Sequence, residues 1–248
     1  MNKRFIITLI LTITTIFCQA LNFDKKRWYD FEGNLDGVAI QLSIYIPENG
    51  NVLKGNYCYK KYETRIQLVG QLKDDQIELT EFIDNKPNGH FIGRVFTDDK
   101  DRFEGTWTDS WGTKQLKFQM TLASSCYSDS WKQRYSGFSG TDEEVENFMK
   151  KVKLSIAKGD KEWVANHIRY PLTTTINGQK KIKVTNKQQL INNFEQIFYP
   201  EYKEKLKKTC VCNMFTNDKG VMLGDGEIWI GNNLADKKNS YQIIAINN

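Results

Sequence analysis

The chain has 248 residues, 40% of them apolar and 12% aromatic, with a formal net charge of +5. That apolar share is the share of a globular protein, and so mild a charge leaves no electrostatic footprint for nucleic acid. The length is somewhat more than one ordinary domain uses, so one large or two small domains are expected.

The chain opens Met1-Asn2-Lys3-Arg4, runs apolar from Phe5 to Phe17, and continues Cys18-Gln19-Ala20. A basic start, a short apolar stretch and a small-x-small exit are the pattern of a secretory signal peptide, here residues 1–20 with cleavage after Ala20. Cys18 offers a rival reading as a lipid-attachment site. Lipoprotein signals carry a small residue just before that cysteine, and here it is Phe17. The apolar run is too short to span a membrane, and no later segment approaches the necessary length. The expectation is an exported protein, periplasmic or extracellular, without a transmembrane segment. No Asn-x-Ser/Thr sequon occurs in this Asn-rich sequence, which favours a bacterial envelope protein over a eukaryotic glycoprotein.

Cleavage would leave four cysteines, Cys58, Cys126, Cys210 and Cys212, as disulfide candidates in an oxidising compartment. Four cysteines allow three connectivities, and spacing does not choose among them. Cys210 and Cys212 are two apart on an expected strand, so their side chains would share a face. That pair lacks a second ligand pair and a nearby histidine, so no metal site is expected.

Residues 26–122 alternate with period two. Val38, Ile40, Leu42, Ile44 and Ile46 form one apolar face, opposite Gln41, Ser43 and Tyr45. Similar runs recur through Leu53–Tyr59, Ile66–Gly70, Ile77–Leu79, Phe91–Val95, Phe103–Trp107 and Leu116–Leu122. Turn residues lie between them, including Asn34, Pro47-Glu48-Asn49-Gly50, Pro87-Asn88-Gly89 and Ser110-Trp111-Gly112. This predicts seven or eight short antiparallel strands joined by hairpins, a β-rich domain over 21–122. Gly55, Gly70, Gly93 and Gly105 fall in mid-strand, where repeated glycine predicts a sheet coiling into a small barrel or a strongly curved meander. Ser and Gly then dominate 123–140, a linker signal.

From 141 the period becomes helical. Thr141-Asp142-Glu143-Glu144 reads as a capping box, followed by Val145, Phe148, Met149, Val152 and Ile156 on one face. Gly159 ends this helix, and Asp160 opens a second that carries Trp163 and His167 and stops at Tyr170-Pro171. Asn177-Gly178 predicts a tight hairpin. Thr185-Asn186-Lys187-Gln188 reads as a second capping box, starting a helix through Leu190, Phe194 and Phe198. A turn of helix over 201–208 and strands at Cys210–Phe215, Gly220–Leu223, Glu227–Ile230 and Tyr241–Ile246 complete the chain.

Lys158-Gly159-Asp160, Tyr170-Pro171-Leu172 and the run from Gly220 to Ile230, in this order of elements, make residues 141–248 resemble the NTF2-like (cystatin-like α+β) superfamily. The resemblance implies a curved sheet wrapped around helices with a cone-shaped pocket. Because the fold hosts both enzymes and binding modules, it does not choose a function.

His90 follows a turn and is expected at the surface. His167 is the candidate general base, with Asp225, between two glycines, as its partner. The ordinary alternatives are a helix-end histidine bonded to backbone and a turn aspartate. Trp163, Tyr202, Glu227 and Trp229 are candidate ligand-binding residues of the same cavity. No nucleophile elbow, zinc-protease motif or phosphate loop occurs. The lysines from 180 to 208 form a diluted basic zone, a solvated face or a dock for an acidic partner. The leading expectation is a non-catalytic envelope protein binding a small ligand or another envelope protein, with no cofactor. A pocket enzyme using His167 and Asp225 is the first alternative, and an inhibitor or immunity-type protein the second.

Overall fold

A computed structural model describes residues 23–49, 52–73, 75–97, 99–234 and 241–248. Residues 1–20, which carry the signal-peptide pattern, lie outside the described residues, and Cys18 with them.

Eight strands form a closed antiparallel barrel in simple up-and-down order: β1 (Arg27–Leu35), β2 (Val38–Ile46), β3 (Val52–Tyr59), β4 (Arg65–Lys73), β5 (Gln76–Ile83), β6 (Lys86–Phe96), β7 (Arg102–Asp109) and β8 (Gln115–Tyr127). Pairing of β1 with β8 closes the ring. Inward positions of the period-two runs fill the interior. Phe31, Phe103, Phe118 and Phe91 form a chain of ring contacts, with Phe103 and Phe118 centroids 4.8 Å apart. The lumen is therefore a packed core. Gln67, Arg94, Lys117 and Gln119 point outward and are exposed. This is the reverse of a lipid-facing barrel, which puts its apolar band outside. No helix among the described residues is long and apolar enough to cross a membrane.

The mid-strand glycines allow the tight coiling. A Cβ on Gly70 would stand 1.9 Å from the Glu78 carbonyl oxygen across the β4–β5 pair. Only a residue without a side chain lets those backbones approach so closely.

Two turn expectations change. The β1–β2 turn is Asp36-Gly37, both at positive φ, and Asn34 caps it with its side chain. The β5–β6 turn is Asp84-Asn85, also both at positive φ, so Pro87-Asn88-Gly89 belongs to β6 rather than to a turn. A bulge after Glu81 absorbs the offset, and Pro87, which lacks an N–H, sits beside it. His90 is consequently a strand residue, half-buried and 3.2 Å through Nδ1 from the Thr80 hydroxyl. β8 runs on to Tyr127, so the first residues of the Ser/Gly-rich segment complete the barrel.

The rest of the chain holds α1 (Asp142–Lys158), α2 (Lys161–Asn166), β9 (Leu172–Ile176), β10 (Lys180–Val184), α3 (Lys187–Ile197), α4 (Pro200–Lys208), β11 (Phe215–Asn217), β12 (Gly220–Leu223), β13 (Ile228–Asn232) and β14 (Tyr241–Ile246). β9 and β10 form a hairpin, and β11 to β14 a four-stranded antiparallel sheet. The Thr141–Glu144 capping box starts α1, and Gly159 at φ 72° ends it. Val145, Met149, Val152 and Ile156 join the sheet residues Val221, Ile228, Ile230 and Ile243 in one core. The second capping box is displaced by one residue. Asn186 is the N-cap, accepting from the Gln189 N–H, and Gln189 Oε1 accepts from the Thr185 N–H. The strand expected over Cys210–Phe215 begins only at Phe215; residues 210–214 are a loop.

The barrel and the C-terminal half have separate apolar cores, and a polar junction joins them. Gln41, Ser43 and Tyr45 face outward on β2, yet all are buried, because the C-terminal half and the segment after β8 cover them. Arg134, from the expected linker, crosses this junction.

Candidate functional site

Arg134 is 1% exposed. It donates through Nη2 to Asp30 Oδ2 at 2.6 Å and to the Asn213 carbonyl at 3.0 Å, and through Nε to the Met214 carbonyl at 3.1 Å. Its guanidinium lies over the Trp28 ring, 5.4 Å from the centroid. Burial pulls its pKa down, but the charge and hydrogen bond of Asp30, together with Cys126 and Tyr135, outweigh that and hold the group protonated. Asp30 in turn accepts from the Ser43 and Ser124 hydroxyls. A second buried carboxylate, Glu146 on α1, pairs with Arg65 of the barrel and accepts from the Tyr135 hydroxyl and the Asn213 N–H, both at 2.9 Å. Its pKa is raised by burial, which Arg65 partly offsets.

These groups explain why residues 210–214 are irregular. A buried loop must find partners for its backbone polar groups. Here Glu63 accepts from the Val211 N–H, Glu146 from the Asn213 N–H and the Tyr135 oxygen from the Met214 N–H. Arg134 and Gln41 donate to the carbonyls. Side chains from both halves thus replace a strand ladder.

The loop forms one wall of a cleft between the two halves with a volume of about 370 Å³. Glu32, Gln41 and Lys60 line the barrel side, and Lys205 and Lys208 of α4 stand opposite. The Gly224–Glu227 turn closes the far wall. Gly224 (φ 61°) and Gly226 (φ 111°) shape it, and it leaves Asp225 exposed while burying Glu227 to 2% exposure. The Tyr202 hydroxyl donates to the Glu227 carbonyl at 2.6 Å, and the Asn247 N–H to the same oxygen at 2.9 Å. Glu227 Oε1 binds Lys205 Nζ at 2.5 Å. The hydrogen bond and charge of Glu227 raise the Lys205 pKa. Glu227 Oε2 is buried and has no hydrogen-bond partner among the described residues. A Cβ on Gly224 would come within 2.2 Å of that oxygen, so the glycine keeps the carboxylate in its place.

Of the candidate residues, Asp225 and Glu227 line this cleft. Tyr202 is buried beneath it and fixes Glu227 through the backbone. Trp229 lies on the outer face of β13 against Phe215, itself a cleft residue. Trp163 and His167 are elsewhere. The His167 ring stacks on Trp163, with centroids 3.9 Å apart, and its Nδ1 lies 2.7 Å from the Trp163 carbonyl. His167 caps the end of α2 and is not among the cleft's lining residues, so His167 and Asp225 do not face each other there.

All four cysteines among the described residues are free thiols. Cys126 packs with Trp28 and Tyr45. Cys58, Cys210 and Cys212 gather at the junction, their sulfurs all within 4.8 Å of one another. Cys210 and Cys212 line the cleft, and Cys58 lies buried behind them on β3. Arg134, Glu146 and Lys60 carried no sequence signal, since each draws its role from a partner distant in the chain, and Lys205 stood out only as one of the lysines of the basic zone.

No protein-family model matches the chain, and no curated protein matches it.

Proposed function

We propose that this is an exported bacterial envelope protein, made of a β-barrel and an NTF2-like α+β module, that binds a small polar ligand in the cleft between them without transforming it. The single observation that carries the ligand reading is Glu227: a buried carboxylate whose Oε2 has no protein partner, on the wall of a roomy polar cleft. An unpaired buried oxygen costs about 1–3 kcal/mol, which a hydrogen-bond donor on a ligand relieves. The ligand class is therefore a small amine- or hydroxyl-bearing molecule, with Lys208 on the opposite wall to meet any anionic group it carries. Binding clefts of this size, with a few convergent polar groups, suit small metabolites.

The NTF2-like reading is supported by the element order: two helices, a hairpin, further helices, then four antiparallel strands. Export is supported by the pattern of residues 1–20. Non-catalytic binding is favoured by His167, whose ring is engaged by Trp163 away from the cleft.

The test is a thermal-shift screen of amines, amino sugars, polyols and amino acids on the mature protein, with Glu227→Gln and Asp225→Asn measured in parallel. A ligand that raises the wild-type melting temperature and loses at least about tenfold in affinity in Glu227→Gln supports the reading. A ligand that binds both proteins equally well contradicts it.

A further inference from the structure

We propose that Cys58, Cys210 and Cys212 form a thiolate site for a thiophilic metal ion, Zn(II) or Cu(I). The proposal does not rest on the ligand reading: Cys210 and Cys212 share the cleft wall, but the test reads metal rather than ligand.

The geometry is that of ligands around an ion. Cys58 Sγ and Cys210 Sγ are 3.7 Å apart. Two sulfurs at about 2.3 Å from a tetrahedral zinc stand about 3.8 Å from each other. A disulfide would require about 2.05 Å, and joining any two of three thiols leaves the third unpaired. All three sulfurs fall within 4.8 Å of one another, close enough to converge on one ion with small side-chain rotations. Soft thiolate donors with no carboxylate or imidazole among them select Zn(II) and Cu(I) over Mg(II), Ca(II) or Mn(II).

The surroundings suit a charged cluster. Three thiols binding a divalent ion release three protons and leave a site of net charge −1. The Cys212 N–H donates to Cys210 Sγ at 3.4 Å, a bond that a thiolate there strengthens. Lys153 is held nearby by Glu63 at 3.0 Å and by the Thr209 carbonyl. Cys210 and Cys212 open onto the cleft, which gives an ion an entry path and a fourth coordination position for water or another donor. The ligands come from β3 of the barrel and from the 210–214 loop, so a bound ion would clasp the two halves together.

The experiment is titration of the mature, fully reduced protein with Co(II) as a spectroscopic probe, followed by Zn(II) displacement and a separate Cu(I) titration. The expected result is one equivalent per chain, a thiolate-to-cobalt charge-transfer band of three-thiolate intensity, and its loss on adding Zn(II). Cys58→Ser and Cys212→Ser should each weaken binding by about tenfold or more, with Cys126→Ser unchanged. The wild-type band intensity counts thiolates without reference to any variant, so a misfolded variant does not decide the outcome. Reduced protein that shows no charge-transfer band and takes up neither Zn(II) nor Cu(I) overturns the proposal. So does a Cys126→Ser variant that loses as much affinity as Cys58→Ser. A Cys58–Cys210 disulfide in isolated protein that, once reduced, still binds no metal overturns it in favour of a structural cross-link.

Discussion

Replacing Arg134 by Ala should be among the most damaging single changes in the protein. The guanidinium is 1% exposed and holds Asp30, itself 0% exposed, together with the carbonyls of Asn213 and Met214. Its loss would leave Asp30 charged and buried with only the Ser43 and Ser124 hydroxyls, at 2.6 and 2.7 Å. Removing one partner of a buried pair costs about 3–5 kcal/mol, most of it the burden of the charge left behind. Arg94, whose side chain is 61% exposed, is the control, and its replacement by Ala should stay within about 0.5 kcal/mol of wild type. Urea unfolding followed by tryptophan fluorescence is the assay, since Trp28 lies against the guanidinium. The double variant Arg134→Met with Asp30→Asn should lose less than the sum of the two singles, because neither charge then remains unpaired. A loss below about 1 kcal/mol for Arg134→Ala would mean that Asp30 is not left buried and unpaired, since that is the value of an exposed pair.

Alkaline pH should unfold the protein through its buried tyrosines. Burial, with a hydrogen bond and charge from Glu81, pushes the Tyr57 pKa far above its ordinary value of 10.0, and burial raises Tyr135 and Tyr202 likewise. A folded pKa above the unfolded one means stability is intact below pH about 10 and falls as pH rises beyond it, because the unfolded chain releases protons that the folded chain retains. Phenolate absorbance during a pH titration checks this; all eleven tyrosines titrating together near 10 with the fold intact would contradict it. Gly70→Ala should cost about 1–3 kcal/mol or more, because its Cβ would meet the Glu78 carbonyl oxygen at 1.9 Å. Denaturant midpoints measure the loss, and a neutral outcome would mean that β4 and β5 do not approach as closely as described.

The barrel was legible in the sequence because its signals are local. Period-two runs, short connections and recurring mid-strand glycines each act between neighbouring strands, and the up-and-down order makes sequence neighbours spatial neighbours. The failures lie where distant residues decide. Gln41, Ser43 and Tyr45 lie opposite the apolar face of β2 and are nonetheless buried, Gln41 and Tyr45 against residues more than 80 positions away. The stretch Cys210–Met214 has strand-like composition, yet Glu63, Tyr135 and Glu146 satisfy its N–H groups. The sulfur cluster was not legible from the 210/212 pair alone, because its third sulfur, Cys58, is 152 residues away from Cys210. Asp225 and Glu227 were both visible as candidates, but only the turn shows that Glu227 is the buried one. One-residue shifts, such as the N-cap at Asn186 rather than Thr185, reflect two adjacent residues that can both cap.

Native mass spectrometry of the protein recovered from the cells that make it is the sharpest test of ligand binding. A bound small molecule of a few hundred daltons is expected, as a cleft of about 370 Å³ admits, retained by His167→Ala and lost in Glu227→Gln. Wild type and Glu227→Gln carrying the same adduct, or neither carrying one in any preparation, would contradict it.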